Sequence, residues 1–334
     1  MILAGDIGGT NTRLAWCDSP RQLFELREFR SAEYPDLGSI VRKYLQEARP
    51  TSPIDRACFG VAGPVHGEMG NRYSPITNLK WTVEQATLAG VLNVPAQRVE
   101  VINDLAANAA GIDVLAPDKL LTLQAGKAQP GGRGIISAGT GLGVGGAVWD
   151  GKRHIPCPSE GGHYSFGPRN PQECDLLAFL AERETQTFAG YVSWERVLSG
   201  PGLYNLFLFH VARNLGTQSI RIPDSLPAGD AATLVSKAAM TGQCERSSMA
   251  LDLFVSLYGA AAGNVAIQYT AINGLYIGGG IAPKILSRLQ GPAFLNAFLD
   301  KGPMRHRLLN TVPVTVILDE HCALRGAAAE AARL

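Results

Sequence analysis

One pattern occurs twice in this 334-residue chain: an apolar strand, a glycine hairpin and a second strand. The first copy opens the chain as Ile2-Leu3-Ala4-Gly5-Asp6-Ile7-Gly8-Gly9-Thr10-Asn11-Thr12-Arg13-Leu14. The second runs from Gly134 to Trp149 through Gly139-Thr140-Gly141-Leu142-Gly143. Gly8 and Gly9 allow positive φ and let an anion approach the main chain, so the hairpin amides can cradle a phosphate. Asp6, at the end of its strand, stands where a magnesium ion beside that phosphate would be met. The competing reading is an ordinary hairpin closed by a glycine turn. One such hairpin near the start of each half predicts two related α/β domains facing a common cleft. Glycine accounts for 38 of the 334 residues, many at strand ends, where open α/β sheets bind their ligands.

The pattern between the hairpins supports an α/β class, because strand and helix signals alternate throughout. Strands are predicted at 56–61, 99–103, 134–138, 144–149, 275–277 and 312–318. Helices are predicted at 84–92, 105–111, 174–184, 203–215, 249–269 and 324–333. Hydrophobic residues at 46% and charged residues at 18% supply a large core and argue against disorder. A net charge of +1 without a Lys/Arg tract excludes nucleic acid and anionic membrane surfaces as expected partners. No basic n-region precedes an apolar stretch, and apolar runs such as 327–332 are short, so neither a signal peptide nor a transmembrane helix is expected. The six cysteines, at 17, 58, 157, 174, 244 and 322, show no C-x-x-C spacing. Free thiols in a reducing cytosol fit them better than zinc or disulfides, and a cytoplasmic location is expected. The terminal Ala332-Arg333-Leu334 loosely resembles a peroxisomal address but reads better as the frayed end of an Ala-rich helix.

Two familiar motifs are decoys. Gly141 to Gly146 spells G-x-G-x-x-G, but the strand after it reaches a turn at Asp150-Gly151 where a dinucleotide site needs a helix. Gly146 to Arg153 nearly spells a P-loop, with Arg153 in place of the Ser/Thr that binds magnesium and Gly-Lys in a turn.

Three other places carry candidate chemistry. Asn103-Asp104 follows the apolar strand from Val99, and a carboxylate there can project into a cleft as a general base. Asp104 can equally be a simple N-cap for the helix that follows, and taken alone this bland reading is the stronger one. Ser159-Glu160-Gly161-Gly162-His163 puts an acid and an imidazole on a glycine-flexed loop, suited to a polyhydroxy ligand or to a surface turn. Glu195, in Trp194-Glu195-Arg196, reads by default as a salt-bridged surface acid.

Taken in order, these segments resemble the bacterial glucokinase family, within the hexokinase and actin-like ATPase superfamily. The resemblance is carried by GDIGGTNTRLA at 5–15, VAGPV at 61–65, TNLKW at 77–81, VINDLAANA at 101–109 and GTGLGVG at 139–145. It continues through SEGGH at 159–163, ERVLSGPGL at 195–203, GLYIGGGIAPK at 274–284 and RGAAA at 325–329, nearly the whole chain. It implies a two-domain actin-like (ribonuclease H-like) α/β fold, with a small domain at 1–112 plus 318–334 and a large domain at 113–317. Hinges are expected near Gly111 and before Val312. It implies transfer of the ATP γ-phosphate to the glucose 6-hydroxyl, with another hexose (mannose, fructose or glucosamine) or a catalytically silent sugar sensor as alternatives.

Asp104 would be the general base, and Asn78, Asn103, Glu160, His163 and Glu195 would hold the sugar beside it. Gly5, Asp6, Ile7, Gly8, Gly9 and Thr10 would form the first phosphate loop, and Gly139, Thr140 and Gly141 the second. Gly278, Gly279 and Gly280 would lie against the adenosine, and Asp6 would face Mg²⁺, mostly through water. A homodimer is expected. The related repressor/ORF/kinase family carries a cysteine-rich zinc motif after its Glu-x-Gly-His segment, and that motif is missing here. A leading helix-turn-helix is also not expected, because the first phosphate strand begins at residue 2.

Overall fold

The computed structural model describes residues 1–76, 79–157, 159–184 and 189–334. In chain order the first strands are β1 (Ile2–Ile7), β2 (Asn11–Ser19), β3 (Gln22–Arg30), β4 (Arg56–Val61), β5 (Tyr73–Pro75), β6 (Thr82–Glu84) and β7 (Val99–Asn103). They are followed by β8 (Leu120–Gln124), β9 (Arg133–Ala138), β10 (Leu142–Trp149), β11 (His154–Cys157), β12 (Gly274–Gly278) and β13 (Val314–Ile317). The chain divides into two compact units, one holding residues 1–120, β11 and 319–334, and the other holding 121–153 and 159–318. The β11 segment thus groups with the first unit, although it lies inside the span expected for the larger domain.

In the first unit the strand order is β3-β2-β1-β4-β7. β1 pairs antiparallel with β2 and parallel with β4, and β4 pairs parallel with β7. β1 shows why it must be central. Successive residues of a strand face opposite sides. Leu3 and Ile7 enter the core shared with Ile40, Tyr44 and Leu88, and Ile2 and Ala4 enter the core shared with Leu324, Ala327 and Ala331. The second core is built from small residues, so the C-terminal helix Cys322–Ala331 can lie close to the sheet.

In the second unit β9 pairs antiparallel with β10 and parallel with β12, and β12 pairs parallel with β13. This repeats the β2-β1-β4-β7 arrangement of the first unit, so the duplication seen in the sequence is a duplication of topology. The helix Glu245–Gln268 runs through the core of this second unit with Phe254, Leu257 and Tyr258 at zero exposure. Its mean hydropathy reaches 1.5 over an 18-residue window, enough to cross a membrane by length and composition. A helix was expected at 249–269, but not one so long and apolar. Its apolarity has a packing cause, since 72% of that window is buried inside the protein.

Most predicted elements stand with shifted ends. Glu84, expected in a helix, closes β6, and the helix begins at Gln85. Gly141–Gly146 falls at the start of β10 rather than before a helix, which disposes of a dinucleotide fingerprint. Gly151, with φ of 98°, turns the chain after β10, where Asp150 Oδ1 accepts from the Lys152 and Arg153 amides.

Candidate active site

The first hairpin is tight and clamped. Ile7 pairs with Thr12, and the Gly8 amide donates to the Asn11 carbonyl at 2.9 Å. The Ser31 hydroxyl donates to the Gly8 carbonyl at 2.8 Å and lies 3.0 Å from the Thr12 hydroxyl, while the Ser31 amide donates to the Thr10 carbonyl. Neither Gly8 nor Gly9 uses the positive φ expected of them. Glycine at position 8 answers to space instead, because a Cβ there would lie 3.0 Å from the Asn11 carbonyl oxygen. Gly5 and Ile7 are interior strand residues, with Ile7 fully buried and a Cβ on Gly5 brought to 2.5 Å from Phe59. The accessible part of the predicted loop is therefore Gly8, Gly9 and Thr10, with the Asp6 side chain largely buried beside them.

Asp6 is opposite Arg13 in the β1–β2 register, with the guanidinium 3.7 Å from Oδ2 and 2.6 Å from Glu28 Oε2. Burial raises the Asp6 carboxyl above the ordinary aspartate range, and Arg13 and His321 only partly offset it. Among the described residues no three His, Cys, Asp or Glu side chains gather as a metal site.

β7 delivers the next pair. Asn103 ends the strand, and its Oδ1 accepts from the Leu105 amide at 2.9 Å, capping the helix Asp104–Gly111. Its Nδ2 donates to the Gly63 carbonyl at 3.3 Å. Asn103 thus stands at the cap position, and Asp104 is the first helical residue. Asp104 Oδ1 also accepts from the Leu105 amide, at 2.9 Å. Close backbone packing fixes this helix. A Cβ on Gly326 would sit 1.7 Å from the Ala107 carbonyl oxygen, and one on Gly111 would sit 2.2 Å from the Cys322 carbonyl oxygen.

In the second unit the Gly139–Gly141 hairpin closes with the Gly139 amide donating to the Gly141 carbonyl at 2.9 Å. The segment after Trp194 brackets it. Glu195 Oε2 accepts from the Leu142 amide at 2.9 Å, and the Gly200 amide donates to the Gly139 carbonyl at 2.8 Å. Glu195 is therefore not an ordinary surface acid. A Cβ on Gly141 would lie 2.5 Å from Glu195 Oε2, the movable end of that side chain, so a larger residue there would displace the carboxylate from the Leu142 amide. Ser199 caps the helix Gly200–Ala212 by accepting from the Gly202 amide, and its hydroxyl donates to the Glu195 carbonyl. That serine was not picked out from the sequence, although Ser-Gly-Pro-Gly is a recognisable helix start.

Glu160 and His163 flank the short turn Gly161–His163, and both are exposed. A Cβ on Gly162 would lie 1.8 Å from the Leu142 carbonyl oxygen, so the loop backbone is pressed against β10 while its polar side chains face outward. Gly279, at φ of +82°, turns the chain after β12, and a Cβ there would strike the Ala138 carbonyl oxygen at 2.3 Å. Gly139 and Gly280 differ from their neighbours. Nothing lies within 4 Å of where their Cβ atoms would be, leaving open space over each loop. Asn78, the remaining predicted sugar ligand, lies outside the described residues.

A mixed α/β fold with two glycine hairpins, an acid at a strand–helix junction and an outward-facing Glu/His loop places the chain among the sugar kinases of the actin-like class. A solved glucokinase from an Antarctic psychrotroph superimposes with a TM-score of 0.81 at 31% identity, covering 100% of this chain and 99% of that one. The chain belongs to the glucokinase family, whose model matches residues 3–334. A curated glucokinase from Nostoc sp. is 41% identical over 350 residues, covering 100% of this chain and 99% of the relative. A glucokinase of the ROK family from Streptomyces griseus, solved with glucose and AMPPNP, shares the fold at a TM-score of 0.63 and 18% identity, covering 100% of this chain and 99% of that one.

Proposed function

We propose that this chain is a glucokinase, transferring the γ-phosphate of ATP to the 6-hydroxyl of glucose to give glucose 6-phosphate and ADP. The observation that carries this reading is the end-to-end identity of 41% with a curated glucokinase. The residue roles are our assignment. Asp104 takes the proton from the 6-hydroxyl as that oxygen bonds to the γ-phosphorus, and the bond from phosphorus to the bridging oxygen of the departing ADP breaks. Asn103, Glu160, His163 and Glu195, with Asn78, hold the other hydroxyls, because a neutral polyol needs both donors and acceptors around its rim.

The Gly8–Thr10 and Gly139–Gly141 hairpins offer backbone amides to the phosphates, with Gly5 and Ile7 supporting the first from within the strand. The Gly278–Gly280 turn lies along the adenosine. Mg²⁺ bound with ATP neutralises phosphate charge. A single carboxylate at Asp6 fits it, since that ion is commonly held by one or two carboxylates, substrate phosphates and water.

The fold is taken as a small domain (1–112 with 318–334) and a large one (113–317) around a cleft that closes over the sugar and excludes water. A cytoplasmic homodimer is the expected form. A coupled assay for ADP release against a panel of hexoses tests the activity. Glucose should be turned over fastest, and a silent enzyme or a faster mannose, fructose or glucosamine reaction would refute the reading.

A further inference from the structure

Tyr258 is fully buried in the helix Glu245–Gln268, and its hydroxyl lies at the end of the sheet rather than in solvent. It accepts from the Ala138 amide at 3.2 Å and lies 3.4 Å from the Ile136 carbonyl oxygen and 3.3 Å from that of Gly278. β9 and β12 stay in register as far as Ser137 opposite Gly278. One residue later the hydroxyl stands between the strands, linking the Ala138 N–H to the Gly278 carbonyl. Beyond it β9 turns into the Gly139–Gly141 hairpin and β12 into Gly279 and Gly280. The Ala138 carbonyl is held from the other side, accepting from the Ile281 amide at 3.3 Å. Both polar groups of Ala138 are thus tied to the point where the two glycine loops part. The ring alone would not do this. It packs edge-on against Phe254 and Phe294, which a phenylalanine would do equally well.

We propose that Tyr258 is a positioning residue for the phosphoryl donor, its hydroxyl setting the spacing between the loops at 139–141 and 278–280. The inference rests on the assignment of those loops to ATP. Tyr258→Phe keeps the ring and removes only the tie. It should raise the KM for ATP about three- to tenfold, the ratio expected for one net hydrogen bond, and leave the KM for glucose unchanged. A variant with a lower melting temperature but both KM values unchanged has lost only a structural contact, and that result would overturn the proposal. Gly280→Ala provides the comparison, because its methyl group enters open space on the adenosine loop. A raised ATP KM in Gly280→Ala with none in Tyr258→Phe defeats the positioning role alone. An unchanged ATP KM in Gly280→Ala defeats the loop assignment, and the proposal with it. In the unmodified, ligand-free chain the Ala138 amide should exchange hydrogen as slowly as Ile136 within β9. Exchange as fast as that of exposed Thr140 would refute the tie without any variant.

Discussion

Asn103 and Asp104 are neighbours with different work. The Asn103 side chain accepts from the Leu105 amide and donates to the Gly63 carbonyl, which leaves one N–H and one lone pair for a ligand. Replacing Asp104 by Asn should lower kcat by about 10²- to 10⁴-fold while glucose still binds, as read by the coupled assay and by calorimetry. Near-normal turnover would remove Asp104 from the role of base. The sequence showed the acid at the strand end but not that the Leu105 amide is shared between Asn103 Oδ1 and Asp104 Oδ1, because that depends on side-chain geometry.

From its own segment Glu195 reads as a salt-bridged surface acid, and only the family resemblance marks it as a sugar ligand. Its hold on Leu142 joins segments 53 positions apart, which no local pattern records. Glu195→Ala should therefore raise the KM for both glucose and ATP, whereas Glu160→Gln, on an outward-facing turn, should raise that for glucose alone. A Glu160→Gln defect confined to ATP would contradict the assignment.

Asp6 gives a test of opposite sign. Its folded pKa is raised by burial, so the unfolded chain ionises first, and stability falls as pH rises from the unfolded value of 3.8 through the folded one. Above the folded value the charge is held at a cost, which Asp6→Asn removes. That variant should melt higher, by about 2 °C, and lose activity; a lower melting temperature would contradict the burial argument.

At the scale of elements, glycine positions decide how closely helices approach. Gly326→Ala would push a methyl group into the Ala107 carbonyl and displace the helix that carries Asp104. A loss of about 3 kcal/mol in a denaturant titration is expected, with a fall in turnover. RGAAA in the sequence marked this place without showing why, since the reason is a contact with a helix more than 200 positions away. The strands were clearer. Ile2 to Ile7 and Val99 to Asn103 announce buried β structure by their apolar runs, and the hairpin echo predicted the repeated topology correctly.

The Asp319–Arg325 pair anchors the start of the C-terminal helix at 2.8 Å, and Arg325 also donates to the Arg21 carbonyl. Burial alone would raise the Asp319 carboxyl, but the hydrogen bonds from Arg325 and from the His321 amide outweigh it and hold the carboxyl below its ordinary value of 3.8. A depressed folded pKa stabilises above the unfolded value and loses that contribution as pH falls through the folded one. Asp319→Asn should therefore destabilise the chain at pH 7 and much less once the pH has fallen through the folded value, which lies below 3.8. Equal destabilisation at both pH values would show that the charge is not the cause.

Over the whole molecule, family membership was legible because many weak motifs occur in one order. Each alone had a bland alternative, and only their succession was specific. The roles proposed for the glycine hairpins and the polar loops were not legible from any single segment of either of the two units. If glucose closes a cleft between them, the radius of gyration in solution scattering should fall on adding saturating sugar. No change would count against closure.

The most direct measurement is ADP release by the purified chain with ATP and Mg²⁺, run in parallel on glucose, mannose, fructose and glucosamine and repeated with Asp104→Asn. The account predicts the highest kcat/KM for glucose and its collapse in the variant. Equal rates in the two proteins, or no glucose-dependent ADP release at all, would contradict it.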